Sequence, residues 1–270
     1  MSEPKIGVVH YNWPNYTFEG FLRRASEIGY KYTELQIGDV WDGKSKNGEM
    51  TAEETRKLME KYGMQASAVA AGNDFIQPTK EELDAQIERF RYVCKVVPCA
   101  GTRLLRCDGG WNRSGKVSEH GWDRMLVESF KRVADFLEEM NLRVALDNHG
   151  LSTNDGDWEL SLIERVGSKR IGVNVDTMNY RWFGHLLPKI NHFFEILAPH
   201  VFHTHMKDGK GSRKDYKGAA LGEGEIDLNY AVKCFKAAGY DGVWCAEYEG
   251  PETEGGVGYE KGYNWLQANV

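Results

Sequence analysis

Short apolar runs alternate along the whole chain with longer amphipathic stretches, and no other feature restricts the fold as strongly. The apolar runs fall at residues 6–9, 32–36, 65–70, 103–106, 142–147, 171–176, 201–206 and 243–248. They are rich in Val, Ile, Leu and Ala and mostly continuous, as strands buried on both faces of a parallel sheet are. Between them the spacing predicts helices over 18–28, 122–140, 158–166, 186–197, 228–238 and 259–267. Two more carry clear start signals: Thr51 as N-cap before AEE, closed by Gly63, and Thr79 as N-cap before KEEL, running to about residue 97. Gly29, Gly63, Gly167 and Gly239 suit C-caps at helix-to-strand turns.

Eight strand–helix units in strict order predict an α/β fold, a single (β/α)8 TIM barrel over 1–270, with no linker for a second domain. An open doubly wound sheet would carry a glycine-rich first turn, whereas the first strand here runs into HYNWPNY. Charge narrows the partners. Lys+Arg 34 against Asp+Glu 40 gives −6, without the basic footprint of a nucleic-acid binder. No run approaches the roughly 18 apolar residues of a membrane span, and MSEPKIGVVHYNW is not a signal peptide. Five irregularly spaced cysteines without a CxxC pair fit reduced thiols, so a cytoplasmic protein is expected.

In such a barrel the chemistry sits at the C-terminal ends of the strands. Four successive apolar strands end in ionisable residues: Asp147 in LDNHG, Asp176 in VDTMN, His205 in HTHMKD and Glu247 in AEYEG. Buried carboxylates are costly unless paired or metal-bound. Three oxygen donors and one imidazole suit one divalent ion, Mn2+ first, with Mg2+, Co2+ or Zn2+ as alternatives.

The run LDNHG, VDTMN, HTHMKD, GEGEID, CAEYEG resembles the xylose-isomerase-like TIM barrel family, and within it the sugar phosphate isomerase/epimerase group and the ketose 3-epimerases. The resemblance implies one divalent metal held by Asp147, Asp176, His205 and Glu247, with the first and last of these also serving as acid and base. The epimerases usually have Glu at the first position and often His three residues after the strand-six carboxylate; this chain has Asp147 and Asn179.

The expected reaction is isomerisation or epimerisation of a sugar or cyclitol, by removal of the proton next to a carbonyl to give a metal-stabilised enediolate. The alternative is a lyase or dehydratase that eliminates a β-substituent of a keto-sugar or keto-glycoside from the same site. Glu247 is the first acid/base candidate and His149, two residues after Asp147, the second. Trp13, Glu34, Arg106, Asn179, Lys207, Asp208 and Arg213 are expected to contact substrate or support the site. Trp13, Phe75, Trp111 and Trp182 are candidate walls at the mouth. The loop GKGSRKDYKGAALGEGEID reads as a solvated lid, with Lys210, Arg213, Lys214 and Lys217 as a candidate anion clamp. An abasic-site endonuclease is disfavoured by the charge and by the lack of extra histidines. Enzymes that resemble this one are usually homo-oligomers, and the same is expected here, with no nucleic-acid or membrane partner.

Overall fold

The barrel forms because its strands carry branched and small apolar side chains that both the interior and the surrounding helices can bury. In β1 (Ile6–Val9) all four residues are buried, and in β6 (Ile171–Asp176) all six. The computed structural model describes residues 3–112, 115–150 and 152–270. The order is β1, α1 (Phe18–Ile28), β2 (Tyr32–Gln36), α2 (Ile37–Val40), α3 (Gly48–Lys61), β3 (Gln65–Ala70), α4 (Lys80–Val96), β4 (Leu104–Cys107), α5 (Glu119–Glu139) and β5 (Arg143–Asp147). It continues with α6 (Gly156–Val166), β6, α7 (Asn179–Phe183), α8 (Leu187–Leu197), β7 (Val201–Met206), β8 (Asp208–Lys210), β9 (Lys217–Ala219), α9 (Leu228–Ala237), β10 (Trp244–Ala246) and α10 (Val257–Asn269). Strands β1 to β7 and β10 close into one parallel barrel in the order β1-β10-β7-β6-β5-β4-β3-β2, so the expected (β/α)8 fold is present.

Helix faces supply most of the core. In α1 the side chain of Thr17 accepts from the backbone N–H of Gly20, and Phe21, Leu22 and Ala25 turn inward. Phe21 and Leu22 are fully buried, contributions of about 2–3 kcal/mol each. Among the described residues no helix is long and apolar enough to cross a membrane.

The structure departs from the sequence reading in three places. Thr51 is not an N-cap: α3 begins at Gly48, and Thr51 donates its hydroxyl to the Asn47 carbonyl inside the first turn. The eighth barrel strand is shorter than expected, Trp244–Ala246. The expected solvated lid is instead an antiparallel hairpin, β8 with β9, followed by a loop wound around Asp208. The buried Asp208 carboxylate accepts the backbone N–H groups of Gly209 (2.8 Å), Gly222 (3.0 Å), Gly224 (3.0 Å) and Ile226 (3.2 Å). Gly224 is required there, since a Cβ would lie 1.9 Å from Asp208 Oδ1. Asp208 is therefore the structural anchor of this loop, not the substrate contact expected of it.

Removing that anchor leaves buried N–H groups without an acceptor. Asp208→Ala is expected to cost about 3 kcal/mol, read as a lower urea midpoint, and to open the 208–226 segment to limited proteolysis. Wild-type resistance in that segment would contradict the assignment.

Candidate functional site

Strand pairing assembles the site. Asp176 stands directly opposite His205 across β6 and β7, and Glu247 follows β10 with its backbone N–H donating to the Met206 carbonyl at 3.0 Å. One ligand atom each of Asp176, His205 and Glu247 lies within 4.8 Å of the others. Two of the three residues carry an unsatisfied buried atom: Asp176 Oδ2 and His205 Nδ1 have no hydrogen-bond partner. Nδ1 comes within 2.8 Å of Glu247 Oε2 but out of line for a hydrogen bond. Orphaned buried polar atoms are costly. An oxygen, a nitrogen and a second oxygen converging in this way fit a divalent cation, which would satisfy both orphans.

Glu34 sets the orientation of His205. It accepts from His205 Nε2 at 2.6 Å, so that nitrogen carries the proton and Nδ1 faces Asp176 and Glu247. Its other oxygen accepts from Arg106 Nε at 2.8 Å. Burial pushes the Glu34 carboxyl up, but the charges of His205 and Arg106 outweigh it and hold the pKa at about 2. Asp176 behaves oppositely: burial raises it to about 6 despite the opposing Lys207 charge.

The fourth expected ligand, Asp147, is not in that group. Its Oδ1 accepts from Asn174 Nδ2 at 2.6 Å, and its Oδ2 accepts from Arg106 Nη1 at 2.8 Å with His149 Nδ1 at 3.5 Å. Both oxygens are engaged, and an aspartate lacks the extra methylene that would carry its carboxylate further. A polar column lies beneath it. Ser67 Oγ donates to His203 Nε2 (3.1 Å), and His203 Nδ1 donates to Asn174 Oδ1 (2.9 Å), since the Asn174 amide nitrogen is already committed to Asp147. Burial lowers the His203 pKa to about 4, so this imidazole is neutral. Register shifts sit at Thr33/Glu34 and Val173/Asn174, where bulges aim Glu34 and Asn174 into the network.

Above the ligand atoms, the Lys207 ammonium lies 3.0 Å from Glu247 Oε1, 3.0 Å from Glu249 Oε2, 3.4 Å from Asp176 Oδ2 and 3.2 Å from Asn179 Oδ1. Burial favours neutral Lys207, yet the three carboxylates hold its pKa well above the ordinary value. Burial likewise opposes ionisation of Glu247, but Lys207 and His205 keep it well below the usual carboxylate range. His149 is raised on balance: burial lowers it, and Asp147 more than compensates. A cavity of about 230 Å3 opens over these groups, lined by Trp111, His149, Asn179, Trp182, Lys207 and Glu249.

Several expected contacts lie elsewhere. Trp13 is buried, stacked on Tyr259 with ring centres 4.5 Å apart, and is core packing rather than a mouth wall. Phe75 is fully buried among Phe90 and Phe130. Arg213 lies over the Trp182 and Phe183 rings and borders a neighbouring cavity, so it is no anion clamp at this one. Arg106 and Glu34 are bound to each other and support the site from below. The sequence reading gave no role to His203 or Asn174. Their signal was the two-residue period in HTH and NVD, which puts each on the inward face with His205 and Asp176.

The model of the xylose isomerase-like TIM barrel family matches residues 22–269. The chain belongs to that family. Solved xylose isomerase-like structures of the same fold include a protein from Mycobacterium smegmatis in complex with magnesium, with TM-score 0.77 at 14% identity, over 98% of this chain and 95% of that one. D-psicose 3-epimerase from Clostridium cellulolyticum H10, with D-tagatose, superimposes with TM-score 0.77 at 12% identity over 98% of each chain. A 3-keto-D-glucoside 4-epimerase from E. coli gives TM-score 0.76 at 14% identity, over 98% of this chain and 99% of that one. No curated protein matches the chain by sequence.

Because Glu34 is more acidic folded than its ordinary 4.5, its stabilisation is complete above about pH 4.5 and lost as pH falls toward about 2. The shift corresponds to about 3 kcal/mol. Glu34→Gln should therefore be less stable than wild type by about that amount at pH 6, with the gap closing toward pH 2. A gap independent of pH would show that the carboxylate charge is not responsible.

Proposed function

We propose that this member of the xylose isomerase-like family is a divalent-metal-dependent isomerase or epimerase of a sugar or cyclitol. The observation that carries the reading is the buried convergence of Asp176, His205 and Glu247, two of them with an unsatisfied atom, directly beneath a polar and aromatic cavity. Asp176, His205 and Glu247 would hold the ion, Mn2+ being the first choice. The metal ions and sugars named for family relatives are consistent with this.

A divalent ion held by Asp176, His205 and Glu247 would polarise a sugar carbonyl and so acidify the adjacent C–H. The protein groups do the rest. Trp111 and Trp182 flank the substrate. Asn179 Nδ2, a buried donor without a partner, is available to a substrate hydroxyl, and the Lys207 ammonium to another. Glu247, ionised by its cationic neighbours, takes the proton from the carbon next to the carbonyl, and the bonding pair moves into the carbonyl to form an enediolate. His149, made more basic by Asp147, returns a proton. Delivery to the opposite face of the same carbon inverts it, and delivery to the neighbouring carbon, with the hydroxyl proton passing to the former carbonyl oxygen, isomerises the sugar. In this reading Asp147 positions His149 and is not a ligand.

The test is elemental analysis followed by incubation of Mn2+-loaded enzyme in D2O with ketoses, inososes and 3-keto-glycosides. One bound ion and deuterium at carbon next to the carbonyl are expected, with product mass equal to substrate mass apart from the label. A product lighter by water or an aglycone would replace the isomerase with a lyase, and failure to bind a divalent ion would end the metal reading. Asp176→Asn should abolish metal retention. Asp147→Asn should keep metal affinity within about tenfold while slowing exchange by about 10²-fold or more; loss of metal with Asp147→Asn would instead restore it as a ligand.

A further inference from the structure

A second cavity, of about 420 Å3, opens on the same face of the barrel. Trp122 from the start of α5, Trp158 from α6, Phe183 from α7 and Arg213 from the β8–β9 turn enclose it. Its partition from the first cavity is thin. Trp182 lines the first and Phe183, the next residue, lines the second; Gly150 borders the first and Ser152 the second. The Arg213 guanidinium caps that partition, 5.1 Å from the Trp182 ring centre and 4.3 Å from that of Phe183, and its backbone N–H donates to the Trp182 carbonyl at 3.0 Å.

Charge and size decide what this cavity takes. Glu119 and Asp123 line it beside a single cation, Arg213, so no cluster of cations awaits a phosphate there. Asp123 is itself held by Arg165 at 2.5 Å. Aromatic faces interleaved with about as much polar surface suit a neutral ring bearing hydroxyls. The first cavity, about 230 Å3, is small for a complete ligand site, because such sites usually span about 300–1,000 Å3. With the second cavity beside it, the site reaches that range.

We propose that the Trp122–Trp158–Phe183 cavity is the subsite for a second, neutral sugar ring, so that the substrate is a two-ring keto-glycoside rather than a free monosaccharide. This rests on the reaction proposed above for where the first ring reacts. The keto ring lies over Lys207 and Asn179, and the glycosidic bond passes the Trp182–Phe183 edge. Glu119, Asp123 and Arg213 meet the hydroxyls of the second ring.

Turnover and binding test this separately. Deuterium exchange by Mn2+-loaded enzyme is compared for a methyl 3-keto-glucoside and for the 3-keto-disaccharide carrying the same reacting ring. The disaccharide is expected to have at least tenfold higher kcat/KM. Trp122→Ala and Trp158→Ala should remove that advantage through KM and leave the methyl glycoside within about twofold. Trp122→Phe and Trp158→Phe, which keep a ring face, should restore most of it, and thermal melts of all four variants verify the fold. Equal kcat/KM for the two substrates, or equal losses on both, would overturn the subsite. Calorimetry with the parent methyl glucoside and disaccharide, which cannot react, reads binding alone. Tighter disaccharide binding that depends on Trp122 and Trp158, without exchange on any substrate, would overturn the reaction and leave the subsite standing. Equal affinity for both sugars would overturn the subsite whatever the exchange shows.

Discussion

Glu34 is a carboxylate wholly removed from water and shared between two cations, Arg106 and His205, that come from different strands. Burying a lone carboxylate is prohibitive, so β2, β4 and β7 must close together for Glu34 to be tolerated at all. Once they do, the arrangement dictates much of the mouth. His205 is left with Nε2 held by Glu34 and Nδ1 turned toward Asp176 and Glu247. Arg106 is left with its remaining N–H groups for Asp147 and Asp108. The candidate ligand atoms are thus aimed by a group that lies outside the candidate set, as a metal-binding histidine requires of its partner.

The same accounting explains why the carboxylates of the mouth differ in character. Glu34, Asp147 and Glu247 each touch a fixed cation and remain strongly acidic. Asp176 is 3.4 Å from the Lys207 ammonium, which Glu247 and Glu249 approach more closely, and burial wins. Four acidic groups within one barrel mouth are thereby divided into permanent anions and one that is short of positive charge. That shortage is what an added cation would make good.

Much of this was legible in the chain. Eight of the helices and all the barrel strands follow from apolar runs and their end signals, because burial on both strand faces leaves little choice of residue. The four ionisable strand ends were visible for the same reason: an acid closing an apolar run has no packing explanation. What could not be read depends on neighbours distant in sequence. Asp208 looks like a site residue next to His205 and Lys207, and only the loop that returns through Gly222–Ile226 reveals three backbone N–H groups waiting for it. Trp13 follows a strand and looks like a mouth wall, but Tyr259 from the last helix covers it. Arg213 resembles an anion clamp until the aromatic pair of α7 is beneath it. The short helices α2 and α7 have too few residues for any periodicity. Where the Asp147 carboxylate points was beyond a motif, since Asn174 and Arg106 hold its two oxygens.

The column from Ser67 through His203 and Asn174 to Asp147 has one further consequence. Every link points the same way, hydroxyl to imidazole, imidazole to amide, amide to carboxylate, so the bond dipoles add instead of cancelling. The barrel axis behaves as a short polarised wire whose positive end rests on Asp147. Moving the His203 proton to its other nitrogen would reverse the lower half and set two acceptors, Nδ1 and Asn174 Oδ1, against each other. The tautomer of a neutral histidine deep in the barrel thus helps determine how much negative charge the mouth presents to whatever sits above it.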